Sequence, residues 1–477
     1  MYAVPCPLCD AGLSSFPSWL SIFPHQSIKQ DLFQVTDHAA LYSLNLKMED
    51  RKTRIFETIW LFWAFHLVGF VNGIIGPTLL DLQQFVHASL TQMTYIFFVQ
   101  GAGFIVGILL AFGLERCLST RLIMTCSLLL GCMVNFALPW GTVFYYLAIM
   151  FFIMGMAKGL VDYAAMSISN QLWPGEKGAP FQFVTLGAGI GAFLAPFLAT
   201  PFLSNGPSSG DMFSIDINNH TTQPLVCIEE DQSKCNTESR VQYAYVIIGI
   251  LSIPPVFAFA HYHRKRGSEP LMSYEEFQHT ERGTYSARNY SFIALLFLFH
   301  IPVFGIILAY GDLLTPYGVN IGLHLSKSHL AVMTSVFWGC FLIGRILNLS
   351  FSGCLPNFVL LCLNFVGVVI ACGVLIGLSE KYEVGLWMGT AALGVFTSPY
   401  LPMVLAWSAD YVQLTGGIIT ASLVASGVGE ILVPFITGQC FVAYGPKVLM
   451  YFISGTIAYE IVTFLFLVIC SRGLRKN

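Results

Sequence analysis

Long apolar runs recur along the chain, separated by short polar breaks. Twelve are long enough to cross a bilayer, near 57–81, 93–113, 122–140, 143–166, 181–204, 241–262, 291–313, 329–351, 356–378, 385–407, 418–440 and 447–470. A spanning helix needs about 20 apolar residues, so these runs predict an all-α membrane protein. The expected class is 12 transmembrane helices in two six-helix halves. Numbered spans 1 to 12, they divide the chain into a tail at 1–56, a half at 57–262, a linker at 263–290, a half at 291–470 and a short tail at 471–477. Residues 1–50 show no basic start followed by an apolar core, the mark of a cleavable signal. They read as a tail of low order ending in the basic flank Lys47, Arg51, Lys52 and Arg54.

Basic residues orient the bundle. With the N-terminus inside, the inner segments collect 15 Lys and Arg residues, among them Arg116, Arg121 and the run Arg264-Lys265-Arg266. The outer loops hold 5, namely Lys234, Arg240, Lys327, Lys381 and Lys447. Both termini are therefore expected in the cytoplasm of a multi-pass plasma-membrane protein. The long outer loop 205–239 carries the sequon Asn219-His220-Thr221, which admits a glycan there. Cys227 and Cys235 lie in the same polar loop, where a disulfide is compatible with an oxidising exterior.

Composition narrows the function. Only 10% of the 477 residues are charged and 55% are hydrophobic, against about 25% charged in soluble domains. That excludes a cytosolic enzyme, a nucleic-acid binder and a disordered scaffold. With 23 basic and 26 acidic residues the net charge is −3, so no global field points to a polyanion. Most of the 13 cysteines sit in apolar runs as small hydrophobes. Cys6 and Cys9 form one CxxC without a second pair at zinc-site spacing. No catalytic triad, nucleotide-binding glycine loop or HExxH motif is present, so neither enzyme activity nor a metal or cofactor is expected.

The charges inside apolar runs carry the chemistry, since each costs about 2.5–3.5 kcal/mol to insert. Lys158 and Asp162 stand one helical turn apart in span 4. Two readings stand: a salt bridge that lets the helix insert, or a cavity-facing pair in which Asp162 releases Lys158 and takes a cation. Glu430 follows Gly427 and Gly429 in span 11, and Arg345 sits toward the inner side of span 8 as a snorkelling or gate residue. Asp81, Asp312 and Asp410 fall near span ends and read as interfacial. Asn72, Gln100, Gln182 and Asn364 place neutral amides inside spans 1, 2, 5 and 9. Amides both donate and accept, which suits hydroxyl-rich uncharged ligands, and Trp338 in span 8 and Trp407 in span 10 offer stacking faces. The same amides also serve as helix-to-helix links in bundles. His66 in span 1 reads as a bundle histidine that finds its partner among the helices rather than as a proton carrier.

Several short stretches fall in a recognisable order. Gly76-Pro77-Thr78-Leu79-Leu80-Asp81-Leu82 closes span 1, Asp162 to Trp173 closes span 4, and Lys177-Gly178-Ala179-Pro180 opens span 5. Gly191-Ala192-Phe193-Leu194-Ala195-Pro196, then Phe337-Trp338-Gly339 with Arg345, then Gly427-Val428-Gly429-Glu430 follow. Over residues 57–470 the chain resembles the sodium-dependent glucose transporter 1 branch of the major facilitator superfamily and its orphan sister group. The resemblance implies the major facilitator fold, with halves that are parallel repeats. It also implies sodium-coupled uptake of glucose or a related hexose at the plasma membrane. Its site residues carry over to Asp162, Gln182, Arg345, Asn364 and Glu430. Met166, Thr185, Gln100 and Ile307 depart from the family's asparagine, histidine, arginine and acidic residue, and only Glu115-Arg116 remains of the gate pattern between spans 2 and 3.

The expected protein is thus a secondary transporter working by alternating access as a monomer in the lipid bilayer. Its solute is a small uncharged polar molecule, a hexose first, with sodium as co-substrate on Asp162 and Lys158 and no nucleic-acid partner. Substrate contacts are expected from Asn72, Gln100, Gln182, Trp338, Asn364 and Glu430, and gating from Glu115, Arg116 and Arg345. The alternatives are a sodium-independent uniporter and a receptor or scaffold that keeps the fold without turnover.

Overall fold

The computed structural model describes residues 38–173, 179–204, 239–266, 287–323, 325–352, 354–412 and 416–474. Among these residues, 12 helices are long and apolar enough to cross a membrane and no strand occurs. In order they cover Arg51–Phe85, Leu90–Leu114, Thr120–Trp140, Phe144–Leu172, Phe183–Phe202, Gln242–Lys265, Arg288–Asn320, Lys327–Phe351, Asn357–Leu378, Glu383–Ser408, Ala421–Tyr444 and Val448–Ser471. The boundaries follow local chemistry. Ser89 caps span 2 by accepting from Gln92 N while its own N–H donates to Gln92 Oε1, and Ser119 and Ser326 cap spans 3 and 8. Span 10 breaks between Thr397 and Tyr400 at Ser398-Pro399, where proline withholds a backbone donor.

Two expectations are corrected. The helix of span 1 begins at His38, so the last part of the stretch 1–50, expected as a tail of low order, is helical. Span 7 does not stop near 313: its helix runs on through Pro316 to Asn320, whose Nδ2 donates to the Pro316 carbonyl at 2.8 Å. A proline inside a buried membrane helix is tolerated when neighbours satisfy the freed carbonyl. The shift moves Asp312 from a span end to the helix interior.

The two halves repeat one pairing scheme. Span 1 packs on 5, 2 on 4 and 3 on 6; in the second half 7 packs on 11, 8 on 10 and 9 on 12. The halves meet where span 2 faces 11, span 5 faces 8 and span 1 faces 7. Lipid gives no hydrophobic drive between helices, so contact depends on small residues that let backbones approach. Spans 2 and 4 show this reciprocally: a Cβ on Gly103 would stand 2.1 Å from Phe152 O, and one on Gly155 would stand 2.0 Å from Gln100 O. These tight seams hold Gln100 and Lys158 on adjoining faces at the middle of the bundle.

Candidate functional site

Where spans 1, 2, 4, 7 and 11 converge they leave a cavity of about 360 Å³ counting its mouth. It is lined by Asn72, Ile75, Phe97, Gln100, Gly101, Phe104, Lys158, Leu308, Asp312, Glu430 and Pro434. The space enclosed within it is about 20 Å³, room for about one water, so a larger solute needs the halves to part. Both halves contribute, so the site sits on the seam that must change when the halves move.

Lys158 organises the cavity. Its Nζ donates to Glu430 Oε2 at 2.7 Å and lies 4.6 Å from the centre of the Phe104 ring. Of the two readings of Lys158 and Asp162, the salt bridge within span 4 is not formed: Lys158 pairs across the halves, and Asp162 Oδ1, buried in span 4, has no hydrogen-bond partner. Side chains on a helix lean toward its N-terminus, and a lysine placed before its acid is the weaker i,i+4 order. Glu430 approaches from the opposite half at the height the lysine reaches. Asp162 is not part of the lining.

Asp312 is corrected from interfacial to central. It is 4% exposed, lines the cavity and forms no hydrogen bond or ion pair with any described residue. Pro316 and Gly318, residues that commonly end a helix, follow Asp312 closely, and the helix passes through both. Phe97 and Phe104 supply the aromatic walls in place of Trp338 and Trp407. Trp338 is buried, packed against Gly311 and edge-on to Phe337 and Phe341. Trp407 lies among Phe292, Tyr411 and Phe464 in the second half.

The amides divide. Asn72 and Gln100 face the cavity. Asn364 does not: its Nδ2 donates to Asn348 Oδ1 at 2.7 Å and to the Leu360 carbonyl at 2.8 Å, which ties span 9 to span 8. Gln182 is in the span 5 helix, but its side chain lies outside the described residues, as do Lys177, Asn219, Cys227 and Cys235. His66 Nδ1 meets the Gly187 carbonyl at 3.3 Å between spans 1 and 5.

The gate candidates sit toward the ends. Glu115, at the end of span 2, accepts from Thr120 Oγ1 at 3.0 Å and from Tyr163 Oη and Ser167 Oγ of span 4. Arg116 stacks over Phe112 at 5.3 Å. Arg345 stacks over Phe341 at 5.3 Å and its buried Nε has no hydrogen-bond partner. At the opposite end the structure adds a cluster that the sequence reading did not assemble. Asp81, fully buried, accepts from Lys327 Nζ at 2.8 Å, Ser204 Oγ at 2.8 Å, Ser204 N at 2.8 Å and Ser239 Oγ at 2.6 Å. Lys327, expected among the outer-loop charges, is 5% exposed and bridges span 8 to the end of span 1. Nearby, Gln439 Nε2 donates to the Thr91 carbonyl at 3.2 Å, joining span 11 to span 2.

Comparison with known proteins fits this architecture. The family model of the Major Facilitator Superfamily matches residues 61–434. The chain is 26% identical over 370 residues to sodium-dependent glucose transporter 1 of Xenopus laevis, covering 77% of this chain and 72% of that protein. It is 26% identical over 444 residues to human major facilitator superfamily domain-containing protein 4A, covering 80% and 86%. Among solved structures it resembles the E. coli xylose transporter XylE in a partially occluded inward-open conformation, with TM-score 0.63, 12% identity and coverage of 86% and 97%. A bacterial homologue of the human lysosomal transporter Spinster in an inward-facing conformation gives TM-score 0.60, 15% identity and coverage of 88% and 97%.

Proposed function

We propose, since the chain belongs to the major facilitator superfamily, that it carries glucose or a related hexose across the plasma membrane, coupled to sodium, by alternating access. The observation that carries this reading is the chemistry of the cavity on the seam. Two neutral amides, Asn72 and Gln100, and two aromatic side chains, Phe97 and Phe104, share its lining. Hydroxyl-rich solutes need donors and acceptors around them and an apolar face to lie against, and this lining has both. The likeness to sodium-dependent glucose transporters supports the solute class and the ion.

Counterflow of labelled glucose in proteoliposomes, with and without sodium, tests the reading. Glucose exchange that rises with sodium is expected. Exchange indifferent to sodium would make the protein a uniporter, and no exchange of any hexose would remove the solute. Both termini are assigned to the cytoplasm and the loop 205–239 to the exterior. A tag inserted after Ser209 should be labelled on intact cells and one after Ser268 only after permeabilisation. Asn219→Gln should remove a glycan visible as a gel shift. The working unit is taken as a monomer, with sodium as co-substrate rather than cofactor.

A further inference from the structure

We propose that Asp312 of span 7 holds the coupling cation, at a monovalent-cation site within the central cavity formed with the amide oxygens of Asn72 and Gln100. The inference rests on reading the chain as a cation-coupled carrier and names the ion's residue, which neither the family match nor the likeness to other transporters assigns.

The first support is charge inventory. The lining holds one base, Lys158, and two acids, Asp312 and Glu430. Lys158 is engaged by Glu430 at 2.7 Å, which leaves one carboxylate uncompensated. An unpaired charge at membrane depth is costly, and Asp312 is 4% exposed with no hydrogen bond or ion pair among the described residues. A bound cation cancels that charge. The second support is placement. Asp312 belongs to one half, Asn72 and Gln100 to the other, and Gly311 beside Asp312 meets the span 1 backbone, where a Cβ on Gly76 would stand 2.3 Å from Gly311 O. A cation there touches both halves at their seam.

The ligand set also limits the ion. A carboxylate with amide oxygens suits a hard cation. Among the described residues no group of three or more acidic, His or Cys side chains forms a cage for a multivalent metal. Asp162 stands one turn beyond Lys158 but outside the lining. The other ionisable groups within reach of Asp312 are Lys158, Glu430 and Tyr245, and the Tyr245 hydroxyl is held by Thr78 at 3.0 Å. With the cation bound the cavity lining is neutral and can be carried through the low-dielectric stage of the cycle; without it one negative charge has to cross uncompensated.

The test uses the purified full-length protein in detergent without sugar, so the hexose reading can fail while this one stands. Radioactive sodium is offered to the wild type and to Asp312→Asn. In parallel, wild-type carboxyls are labelled with a carbodiimide, which attacks protonated acids, and located by peptide mass spectrometry. Saturable sodium binding should fall about 10-fold or more in Asp312→Asn, the loss of a charged ligand, and sodium should suppress labelling of Asp312. Labelling of Asp312 that grows on acidification and ignores sodium describes an ordinary protonated carboxyl and overturns the assignment. The assignment is overturned if Asp312→Asn binds sodium as the wild type does, if sodium protects Asp162 and not Asp312, or if Asp312 takes no label and the wild type binds no sodium. Should Asp312→Asn fail to fold, the wild-type labelling decides alone.

Discussion

Lys158 and Glu430 are 272 residues apart and meet at 2.7 Å in the centre of the bundle. Their side chains are 6% and 9% exposed. One belongs to span 4 and the other to span 11, so the pair is a bond between halves rather than within one. Each charge lets the other be buried, and the Phe104 ring covers the ammonium. A carrier that rocks its halves apart at this height must stretch or break the pair, which ties its energy to the transport cycle.

The pair predicts a specific mutational pattern. Removing one partner of a buried ion pair costs about 3–5 kcal/mol because a lone charge remains, whereas replacing both is often neutral. Lys158→Met and Glu430→Gln should each lower the melting temperature of the purified protein, and the double variant should recover most of the loss. Additive losses in that cycle would mean that the two side chains do not interact. Transport should suffer in all three variants, since the double restores the fold but not the switch.

The amides should separate by assay. Gln100 faces the cavity while Asn364 is bound to Asn348. Losing a buried hydrogen-bond partner costs about 1–3 kcal/mol. Gln100→Ala should therefore weaken apparent solute affinity about 5- to 150-fold at normal surface level. Asn364→Ala should instead lower stability and leave affinity near wild type. Concentration dependence of uptake, normalised to surface protein, distinguishes the two outcomes.

What the sequence made legible follows from range. Twelve apolar runs are local signals, and bilayer thickness sets their length, so the spans emerged with boundaries mostly within a few residues. Asn72, Gln100, Lys158 and Glu430 stood out because a polar group in an apolar run is conspicuous on its own. Their mutual arrangement did not. Lys158 had a sequence neighbour, Asp162, and a partner in the other half, and only tertiary packing selects between them. Asp312 reads as interfacial because the apolar run ends near 313, but in the bundle the helix continues through Pro316 and Gly318 to Asn320. Lys327 and Asp81 each look like an interfacial charge, and the network appears only when spans 1 and 8 are side by side.

Glu460 in span 12 gives a prediction of opposite sign. It is fully buried and neither carboxyl oxygen has a hydrogen-bond partner. It lies outside the cavity lining. A buried polar group without partners costs free energy that an apolar side chain of similar shape does not. Glu460→Leu should therefore raise the melting temperature, by the equivalent of about 1–3 kcal/mol, with transport activity retained. A lower melting temperature would show that the carboxyl is engaged in a way this arrangement lacks.

The Asp81–Lys327 cluster should act as a lock on one end of the carrier. It joins span 1 and the end of span 5 to the start of span 8, and all four acceptor contacts of Asp81 come from Lys327, Ser204 and Ser239. Breaking it by Asp81→Asn keeps the shape but removes the charge that holds the ammonium, so the halves should separate more readily at that end. A cysteine placed at Asn72 in the cavity should then react faster with a membrane-impermeant thiol reagent applied to intact cells. Gly76→Ala should act in the same direction by a different route, since a Cβ there would stand 2.3 Å from Gly311 O and must push spans 1 and 7 apart. Overpacking of this kind costs about 1–3 kcal/mol, enough to shift a two-state equilibrium roughly 5- to 150-fold. Conversely, Asp81→Cys with Lys327→Cys, oxidised to a disulfide, should fix the end shut: labelling from outside should stop and uptake should fall to background until reductant is added. Unchanged labelling in both Asp81→Asn and Gly76→Ala would mean that the cluster only ties the ends of these helices and does not govern access to the cavity.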